Sequence, residues 1–361
     1  MLENARISAW QFAVLVTLFT IGSSILVVPA SLSAFAYQDA WIAALIGVGT
    51  SLLLVWLYCA VGNISPGKSL IEINEKLLGK WAGKTVSFLL ILSLFFAGAA
   101  SALYYVGFFL TTHVMPQTPV HALNILFVAV IVMGTRLGIE TLARSAEILF
   151  PFFAVLFGVM FFSTVPQIHL DYLQPVLEKG AKPIATAVIS YLSFAILPDI
   201  ILLMIFPYVH QDSAARKAFL FGNFIGGLVL TIIVTLSLLV LGPEGTTTHL
   251  FPSYALAQKI KIGDFLQRVE VIVAIMWFIT FFFRLTIYLY GIALAAAQIF
   301  ELKHYRPLVL PLGMILVVLS LVIFPNVAYE KNWDTKTWIP YILSVGLFLP
   351  LFLLGIAKFR K

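Results

Sequence analysis

The chain has 361 residues, of which 61% are hydrophobic and only 11% are charged. A soluble domain carries about 25% charged residues, so these charges are too few to cover a water-exposed surface. The 31 Phe residues exclude disorder, and the Lys and Arg residues behind the net charge of +6 are scattered singly rather than clustered, which argues against nucleic-acid binding.

Apolar runs of about 20 residues, the length that crosses roughly 30 Å of hydrocarbon, recur along the chain. They predict a polytopic all-α membrane protein. The apolar core of the fourth run is short, but the charge distribution favours a full crossing there. In chain order, the ten predicted spans are 10–36, 40–62, 84–110, 120–137, 147–165, 184–209, 217–241, 269–300, 307–324 and 338–357.

The Lys and Arg residues of the connections predict the orientation of these spans, because cytoplasmic loops carry an excess of them. With the N-terminus inside, the inner side carries fourteen of these residues and the outer side carries seven. Both termini are therefore predicted to be cytoplasmic. The spans form a single membrane domain over 1–361, with a first repeat over about 1–165 and a second repeat over about 184–361.

Two connections carry helix signals of their own. Ser69 and Glu72 form a capping box ahead of an apolar stretch, which predicts a short helix on the inner face. Residues 254–266 alternate apolar and basic positions, which predicts an outer helix in the membrane interface. Several Trp residues lie near span ends and are interpreted as an aromatic belt rather than as site residues. These are Trp10, Trp41, Trp81, Trp333 and Trp338.

Spans one and six are each interrupted at mid-depth, at 21–25 and at 194–199. Glycine tolerates unusual dihedral angles and proline removes a backbone donor, so both segments are expected to unwind. In lipid, an unwound segment must face protein, a ligand or water. The interruptions fall in the first span of each repeat, and the repeats have opposite orientation. This pattern predicts an inverted-repeat carrier with a binding site at the membrane midplane.

The two interruptions offer complementary groups to a small ligand. Free amides at the start of the outer half of span one, near Ser24, suit a carboxylate. Unwound carbonyls near Gly22 and at 195–197 suit an ammonium group or a cation. The pair therefore suits a zwitterionic amino acid, whereas the alternative is two structural kinks of a kind common in membrane helices. The candidate binding residues here are Gly22, Ser23, Ser24, Phe194, Ala195, Ile196 and Leu197.

Two charged residues lie within predicted spans, Asp199 after the second interruption and Arg284 about 15 residues into span eight. A charge at that depth faces the bundle interior and needs a partner. Arg284 has three possible roles: an ion pair with Asp199, binding of the substrate carboxylate, or a guanidinium in the place of a bound sodium ion. We favour the third. Arginine does not deprotonate in proteins, so only Asp199 is left as a proton carrier.

The sequence contains no GxSxG, P-loop, HExxH or paired-carboxylate pattern, so we predict no catalytic residues and no enzyme activity. The six His residues lack ligand spacing, and no metal site or cofactor is predicted. Cys59 is the only cysteine, which excludes an intrachain disulfide. The first apolar run is too long for a signal-peptide core, and no cleavable signal is expected.

Five segments resemble the spore germination permease-like family, the B subunits of endospore germinant receptors within the amino acid–polyamine–organocation superfamily. They lie at 7–11, 21–29, 174–184, 206–208 and 268–277. The segment at 21–29 is shared by the wider superfamily, whereas those at 174–184 and 268–277 are more specific. The resemblance covers essentially the whole chain and implies a LeuT-like 5+5 inverted repeat of ten spans with helices 1 and 6 broken.

The resemblance also implies a function. An amino-acid-type germinant would bind at the breaks, and the chain would assemble with an A subunit and a C-subunit lipoprotein in the spore inner membrane. The alternative that the residues leave open is a proton-coupled amino acid permease, which needs the same site. A purely structural membrane scaffold is the third possibility.

By position, the resemblance extends the candidate site to spans three and eight. Ser93 and Ala97 fall on the face of span three that lines the family's pocket. Phe283 and Arg284 stand where a related receptor has threonines in span eight, and this difference leaves the identity of the ligand open. Asp199 falls near the acidic position usual in span six.

Overall fold

The computed structural model describes residues 5–210, 212–260 and 270–360, and the regular structure in these ranges is helical apart from one isolated β-bridge. In chain order the α-helices are α1 (Ala9–Ile21), α2 (Ser24–Ala36), α3 (Ala40–Gly62), α4 (Leu70–Leu78), α5 (Lys80–Ser93), α6 (Ser101–Phe109), α7 (Val120–Leu137), α8 (Ile139–Thr164), α9 (Ala181–Ala195), α10 (Asp212–Thr248), α11 (Pro252–Lys259), α12 (Glu270–Ile299), α13 (Arg306–Val322), α14 (Val327–Asn332), α15 (Ile339–Leu343) and α16 (Leu349–Phe359).

Shorter helical segments of other kinds join or extend these helices. Segments with π-helical hydrogen bonding connect α5 to α6 and follow α6, and two more link α14 to α15 and α15 to α16. The π segments are Leu94–Ala100, Leu110–Val114, Trp333–Trp338 and Ser344–Phe348, and the 3₁₀ segments are Tyr37–Asp39, Val165–Gln167, Leu170–Leu173, Leu197–Met204 and Phe206–Tyr208.

The helices are those of an integral membrane protein. Among the described residues, eight helical stretches are long and apolar enough to cross a membrane, and α1 and α13 are shorter apolar helices beside them. The stretch formed by α9 and the following 3₁₀ segment is 89% buried inside the protein, whereas the stretch that contains α8 is 17% buried. The second interrupted region therefore lies at the centre of the bundle, and α8 lies at its periphery.

Two predicted spans start eight or more residues after the helices that contain them begin. Span five was expected from 147, but α8 begins at Ile139, directly after Gly138 ends α7 with a φ of 92°. The first turns of α8 carry polar residues such as Glu140, so hydropathy alone does not report them. Span ten was expected from 338, but its helix begins at Val327, because the Asn326 side chain accepts a hydrogen bond from the Tyr329 amide and caps it.

The two predicted connecting helices have different outcomes. The capping box at Ser69 is confirmed, with both of its hydrogen bonds to Glu72 present at the start of α4. The predicted outer helix is present from 252 to 259 as α11, and residues 261–266 lie outside the described ranges. Leu256 and Ala257 are fully buried and α11 packs against α10 and α12, so these side chains contact the protein. The place of α11 in the membrane interface stays a prediction.

The first and second interrupted regions run in opposite directions. The Ile7 amide, just before α1, donates to the Tyr208 carbonyl at 3.0 Å, and the His210 amide donates to the Ile7 carbonyl at 3.1 Å. The start of one region therefore meets the end of the other. We call this end of the bundle, which also holds Lys76 and Glu301, the inner end, and the opposite end, which holds His249 and Lys331, the outer end.

Candidate ligand site at the two helix breaks

The first break separates α1 from α2 at Gly22. Gly22 has a φ of 25° and a ψ of −123°, a backbone conformation that residues with a side chain rarely adopt. A Cβ added there would lie 2.2 Å from Cδ of Arg284 and 2.8 Å from the Phe19 carbonyl oxygen. Both the backbone conformation and the close approach of Arg284 therefore require glycine at this position.

The second break follows α9. Ile196 ends that helix, and the chain continues as the 3₁₀ segment Leu197–Met204 with Pro198 in its first turn. Proline has no amide hydrogen, so it cannot bond the carbonyl of the preceding helical turn. The Phe194 carbonyl instead accepts hydrogen bonds from the Ser24 hydroxyl at 3.1 Å and from Nη2 of Arg284 at 2.9 Å.

Arg284 of α12 connects the two breaks. Its Nη1 donates to the Phe19 carbonyl at 3.4 Å and to the Ser24 hydroxyl at 3.2 Å, while its Nη2 reaches the Phe194 carbonyl. The guanidinium carbon lies 5.2 Å from the centre of the Phe19 ring, within reach of a cation–π attraction. Its side chain is 3% exposed, and Nε has no partner among the described residues.

This environment bears on the three possible roles of Arg284. Both salt bridges among the described residues involve Glu301, so a direct ion pair with Asp199, the first of the three possible roles, is absent from this structure. Carbonyl and hydroxyl oxygens surround the guanidinium instead. These are the groups that would hold a metal cation, which agrees with a guanidinium in the place of a bound ion. The unpartnered Nε leaves a donor for a carboxylate.

Asp199 lies behind the second break, fully buried. Its Oδ2 accepts hydrogen bonds from the Asn223 amide at 3.0 Å and from the Thr20 hydroxyl at 3.3 Å, whereas Oδ1 has no partner within the described ranges. Asn223 in turn accepts a hydrogen bond from Ser51 at 2.6 Å. Asp199 is therefore held by neutral donors from α1 and α10, and it does not line the cavity described next.

A small cavity of about 30 Å³ opens beside Arg284. This volume has room for about two water molecules, so a ligand of amino-acid size fits here only when the walls of the cavity move apart. Both interrupted spans contribute to its wall. The rest of the wall comes from α6, α12 and the π segments Leu94–Ala100 and Trp333–Trp338. It is lined by Ser23, Ala97, Gly98, Ser101, Ala102, Tyr105, Phe194, Arg284, Tyr288, Trp333, Asp334 and Trp338.

Several of the predicted site residues meet at this cavity. Ser23, Ala97, Phe194 and Arg284 line it directly. Gly22 and Ser24 lie behind its wall, in contact with the Arg284 side chain. The structure thus brings together residues that are up to 262 positions apart in the printed sequence, from Gly22 to Arg284.

Other predicted site residues lie away from the cavity lining. They are Ser93, Ala195, Ile196, Leu197 and Phe283. The Leu197 carbonyl accepts a hydrogen bond from Tyr58 at 3.2 Å, and a Cβ added to Gly346 would lie 2.8 Å from it. Phe283 is fully buried beside Phe282, with ring centres 5.0 Å apart. These positions shape the helices around the site rather than its surface.

The cavity also contains residues that the sequence did not indicate as binding residues. Trp333 and Trp338, which the sequence analysis interprets as aromatic-belt residues, both line the cavity. Asp334 lies on the same wall and accepts a hydrogen bond from the Tyr105 hydroxyl at 2.5 Å. The Asn326 helix cap is the sequence signal that could have indicated these residues. A helix that begins there carries both Glu330 and Asp334, which are four residues apart.

A second cavity, of about 200 Å³, lies on the outer side of the first. Tyr105, Phe194 and Asp334 line both cavities, whereas Glu330 and Lys331 line only the second. The two volumes therefore share a boundary, and the site at the breaks lies next to the outer end. The described residues contain no group of three or more His, Cys, Asp or Glu side chains that could hold a metal ion.

Comparisons with known proteins agree with this architecture. The family model described as "Spore germination protein" matches residues 6–328. Spore germination protein KB of Bacillus subtilis (strain 168) is 32% identical over all of this chain and 96% of its own length. Spore germination protein YndE of the same organism is 23% identical over 99% of this chain and 98% of its length.

Solved structures of transporters share the fold. Mhp1, a nucleobase–cation symport family transporter with bromovinylhydantoin bound, has a TM-score of 0.75 at 13% identity, covering 97% of this chain and 78% of that chain. MhsT in complex with L-phenylalanine has a TM-score of 0.72 at 15% identity, covering 98% of this chain and 99% of that chain.

Proposed function

Because the chain belongs to the family of spore germination permeases, we propose that it is the B-type subunit of a germinant receptor. In this role it binds an amino acid, or a similar small nutrient, at the two helix breaks and signals spore germination. The observation that carries this proposal is the cavity beside Arg284, whose side chain hydrogen-bonds to backbone carbonyls at both breaks.

The proposed topology has ten spans. In order they are α1 with α2, α3, α5 with α6, α7, α8, α9 with its 3₁₀ extension, α10, α12, α13 and α14 to α16. With this topology in the inner membrane of the spore, both termini lie on the cytoplasmic side. This is supported by contacts between residues predicted on the inner side, such as Arg360 Nη1 with the Lys76 carbonyl at 3.3 Å and Lys84 with Glu301 at 2.8 Å.

The ligand carboxylate is proposed to bind between the start of α2 and Arg284. The first amides of α2 have no partner within the helix, and the positive end of its dipole favours an anion. Ser23 lies at this end and lines the cavity, and Nε of Arg284 is a free donor there. A charge-assisted hydrogen bond to a carboxylate is stronger than one to a neutral carbonyl, so the ligand competes with Phe19 and Phe194 for the guanidinium.

This competition supplies a signal. In the present structure Arg284 holds the two breaks together through the Phe19 and Phe194 carbonyls. A ligand that draws the guanidinium away weakens that connection and favours a different arrangement of the two interrupted spans. We propose that an A subunit and a C-subunit lipoprotein read this change, as partners of the B-type chain.

Germination assays with single amino acids test the proposal. A strain that lacks other receptors of this type is compared with the same strain lacking this gene, and with that deletion complemented. The proposal expects the deletion to abolish the response to one nutrient and complementation to restore it. Unchanged germination on every nutrient contradicts the receptor function.

Asp199 supports a second candidate function, a proton-coupled amino acid permease. It is a buried carboxylate held by neutral donors, with one oxygen unpartnered, next to the second break. Such a group can accept a proton without breaking an ion pair. Proteoliposome uptake under a pH gradient separates the two functions: the permease gives a flux that Asp199→Asn abolishes, whereas binding without flux favours the receptor.

A further inference from the structure

Two buried carboxylates lie at the boundary between the inner and outer cavities. Glu330 is 6% exposed, and its Oε2 has no hydrogen-bond partner in the described part of the chain. Asp334, four residues later, accepts the Tyr105 hydroxyl at 2.5 Å, and the carboxylate of Glu330 lies beside the same hydroxyl. Residues four apart share one face of a helix, so both carboxylates face Tyr105.

No described cation forms a salt bridge with either carboxylate. The ion pairs within the described ranges lie at the inner end, where Lys80 and Lys84 meet Glu301. Lys331 lines the outer cavity but is not within 4 Å of either carboxylate. Buried carboxylates are costly unless they are paired or fully hydrogen-bonded. An added positive group would therefore bind here favourably.

The two carboxylates face different spaces. Asp334 and Tyr105 line both cavities, whereas Glu330 lines only the outer one. The aromatic rings of Phe194 and Trp338 stand beside the inner position, with ring centres 6.2 Å apart. Aromatic faces attract an ammonium group. The pair thus offers one cationic position at the entrance and another inside the cavity.

We propose that Tyr105, Glu330 and Asp334 form the subsite for the ammonium group of the ligand. Glu330 receives this group from the outer cavity, and Asp334 holds it in the inner cavity while Arg284 takes the carboxylate. The ligand class is thereby an α-amino acid with a free ammonium group. This inference rests on the proposed function, because it assigns the second end of the same ligand.

The test uses the full-length chain in lipid nanodiscs. The twenty amino acids are screened by thermal shift, and the one that stabilises the wild type most becomes the probe, together with the carboxylic acid that lacks its α-amino group. Wild type is expected to bind the amino acid more tightly than this acid by roughly tenfold or more, since charge-assisted hydrogen bonds have about that effect. Asp334→Asn is expected to lose this preference with little change in affinity for the acid.

Further variants separate the effects of the two carboxylates on binding from the effect of removing any carboxylate at the outer end. Asp334→Glu keeps the charge and is expected to keep most of the preference. Glu330→Gln is expected to slow association of the amino acid about tenfold with a smaller change in Kd. Glu244→Gln is the matched control, because Glu244 is exposed at the outer end of α10 and lines neither cavity.

The outcomes distinguish this inference from the function on which it rests. A wild type that binds an amino acid, with the preference unchanged in Asp334→Asn, overturns the ammonium subsite and leaves the proposed function standing. A wild type that binds none of the twenty amino acids overturns the ammonium subsite and restricts the proposed function to another small nutrient. If Asp334→Asn does not fold, an unchanged association rate in Glu330→Gln overturns the subsite. A stabilisation by NaCl or KCl that needs Asp334, without any ammonium preference, assigns the pair to a metal cation and also overturns it.

Discussion

The inner and outer ends of the bundle differ in how their polar groups are satisfied. At the inner end, Glu301 pairs with Lys80 at 2.7 Å and with Lys84 at 2.8 Å, and Ser69 donates to Gln298 at 2.7 Å. These contacts join the α4–α5 corner to the end of α12. At the outer end, Glu330 keeps an unpartnered buried oxygen beside two adjoining cavities.

This difference indicates which end is closed in the structure. A groove of about 600 Å³ does lie at the inner end, but its lining, which includes Asn63, Lys76 and Arg360, contains no residue of either break. The cavity at the breaks instead adjoins the outer cavity. A ligand that approaches from the outer end of the bundle therefore meets partly unsatisfied polar groups, whereas the inner end is held by hydrogen bonds and ion pairs. The predictions below test this contrast, beginning with the largest expected effect.

Gly22→Leu is expected to abolish ligand binding. A Cβ alone would approach Cδ of Arg284 to 2.2 Å, and the φ of 25° disfavours any side chain. Strain and overpacking together cost about 3 kcal/mol or more. Thermal shift with amino acids measures the loss. Gly49→Ala is the control, because nothing lies within 4 Å of an added Cβ there. A Gly22→Leu variant with wild-type binding contradicts the site.

Arg284→Ser is expected to weaken amino acid binding about 10- to 100-fold in sodium-free buffer, because it removes a charged hydrogen-bond donor. It also leaves the Phe19 and Phe194 carbonyls without their partner. If the guanidinium stands in the place of a cation, these oxygens and the new hydroxyl bind sodium, and added NaCl partly restores affinity. Titrations with NaCl and with choline chloride measure this. Equal affinities in the two salts contradict the cation-place role.

Asp199→Asn is expected to change ligand affinity less than tenfold, because Asp199 lies behind the cavity wall. The substitution replaces the carboxylate that accepts hydrogen bonds from Thr20 and Asn223 with a neutral amide. This change costs about 1 kcal/mol of folding stability. Isothermal titration and thermal melting measure the two effects separately. A hundredfold loss of affinity without a loss of stability contradicts the placement of Asp199 outside the binding surface.

Glu301→Gln is expected to have the smallest effect, and one that depends on pH. Hydrogen bonds and charge interactions with Lys80 and Lys84 lower the pKa of Glu301 from 4.5 to about 2. Because the pKa is lower in the folded state, the stabilisation is present above pH 4.5 and is lost as the pH falls toward 2. Melting curves of wild type and variant should differ slightly at pH 7 and low salt and converge near pH 2. A difference that grows on acidification contradicts the inner ion pairs.

Much of the fold follows from local sequence signals. Hydropathy indicated the apolar stretches, and Gly22 and Pro198 indicated where regular α-helix stops. Hydropathy reports burial in lipid and not the ends of helices in water. For this reason it missed the first turns of α8 and the whole of α14, where Glu140 and Glu330 lie.

The site was predictable only in part, for a physical reason. A residue that interrupts a helix, such as Gly22, can be recognised from its type, and so can a charged residue in the middle of an apolar span, such as Arg284. Asp334 and Tyr105 cannot be recognised in this way, because a carboxylate near a span end is ordinarily solvated and a tyrosine there is ordinarily interfacial. Their placement in the cavity depends on the packing of segments that are far apart in the sequence, which no local pattern encodes.

The central claim is that a small amino acid binds beside Arg284 at the two helix breaks. A structure of the chain in nanodiscs, determined with the amino acid that stabilises it most, tests this claim most directly. The account predicts ligand density in the cavity, with its carboxylate at Arg284 and the start of α2. Ligand density elsewhere, with this cavity unchanged, or a carboxylate pointing away from Arg284 would contradict it.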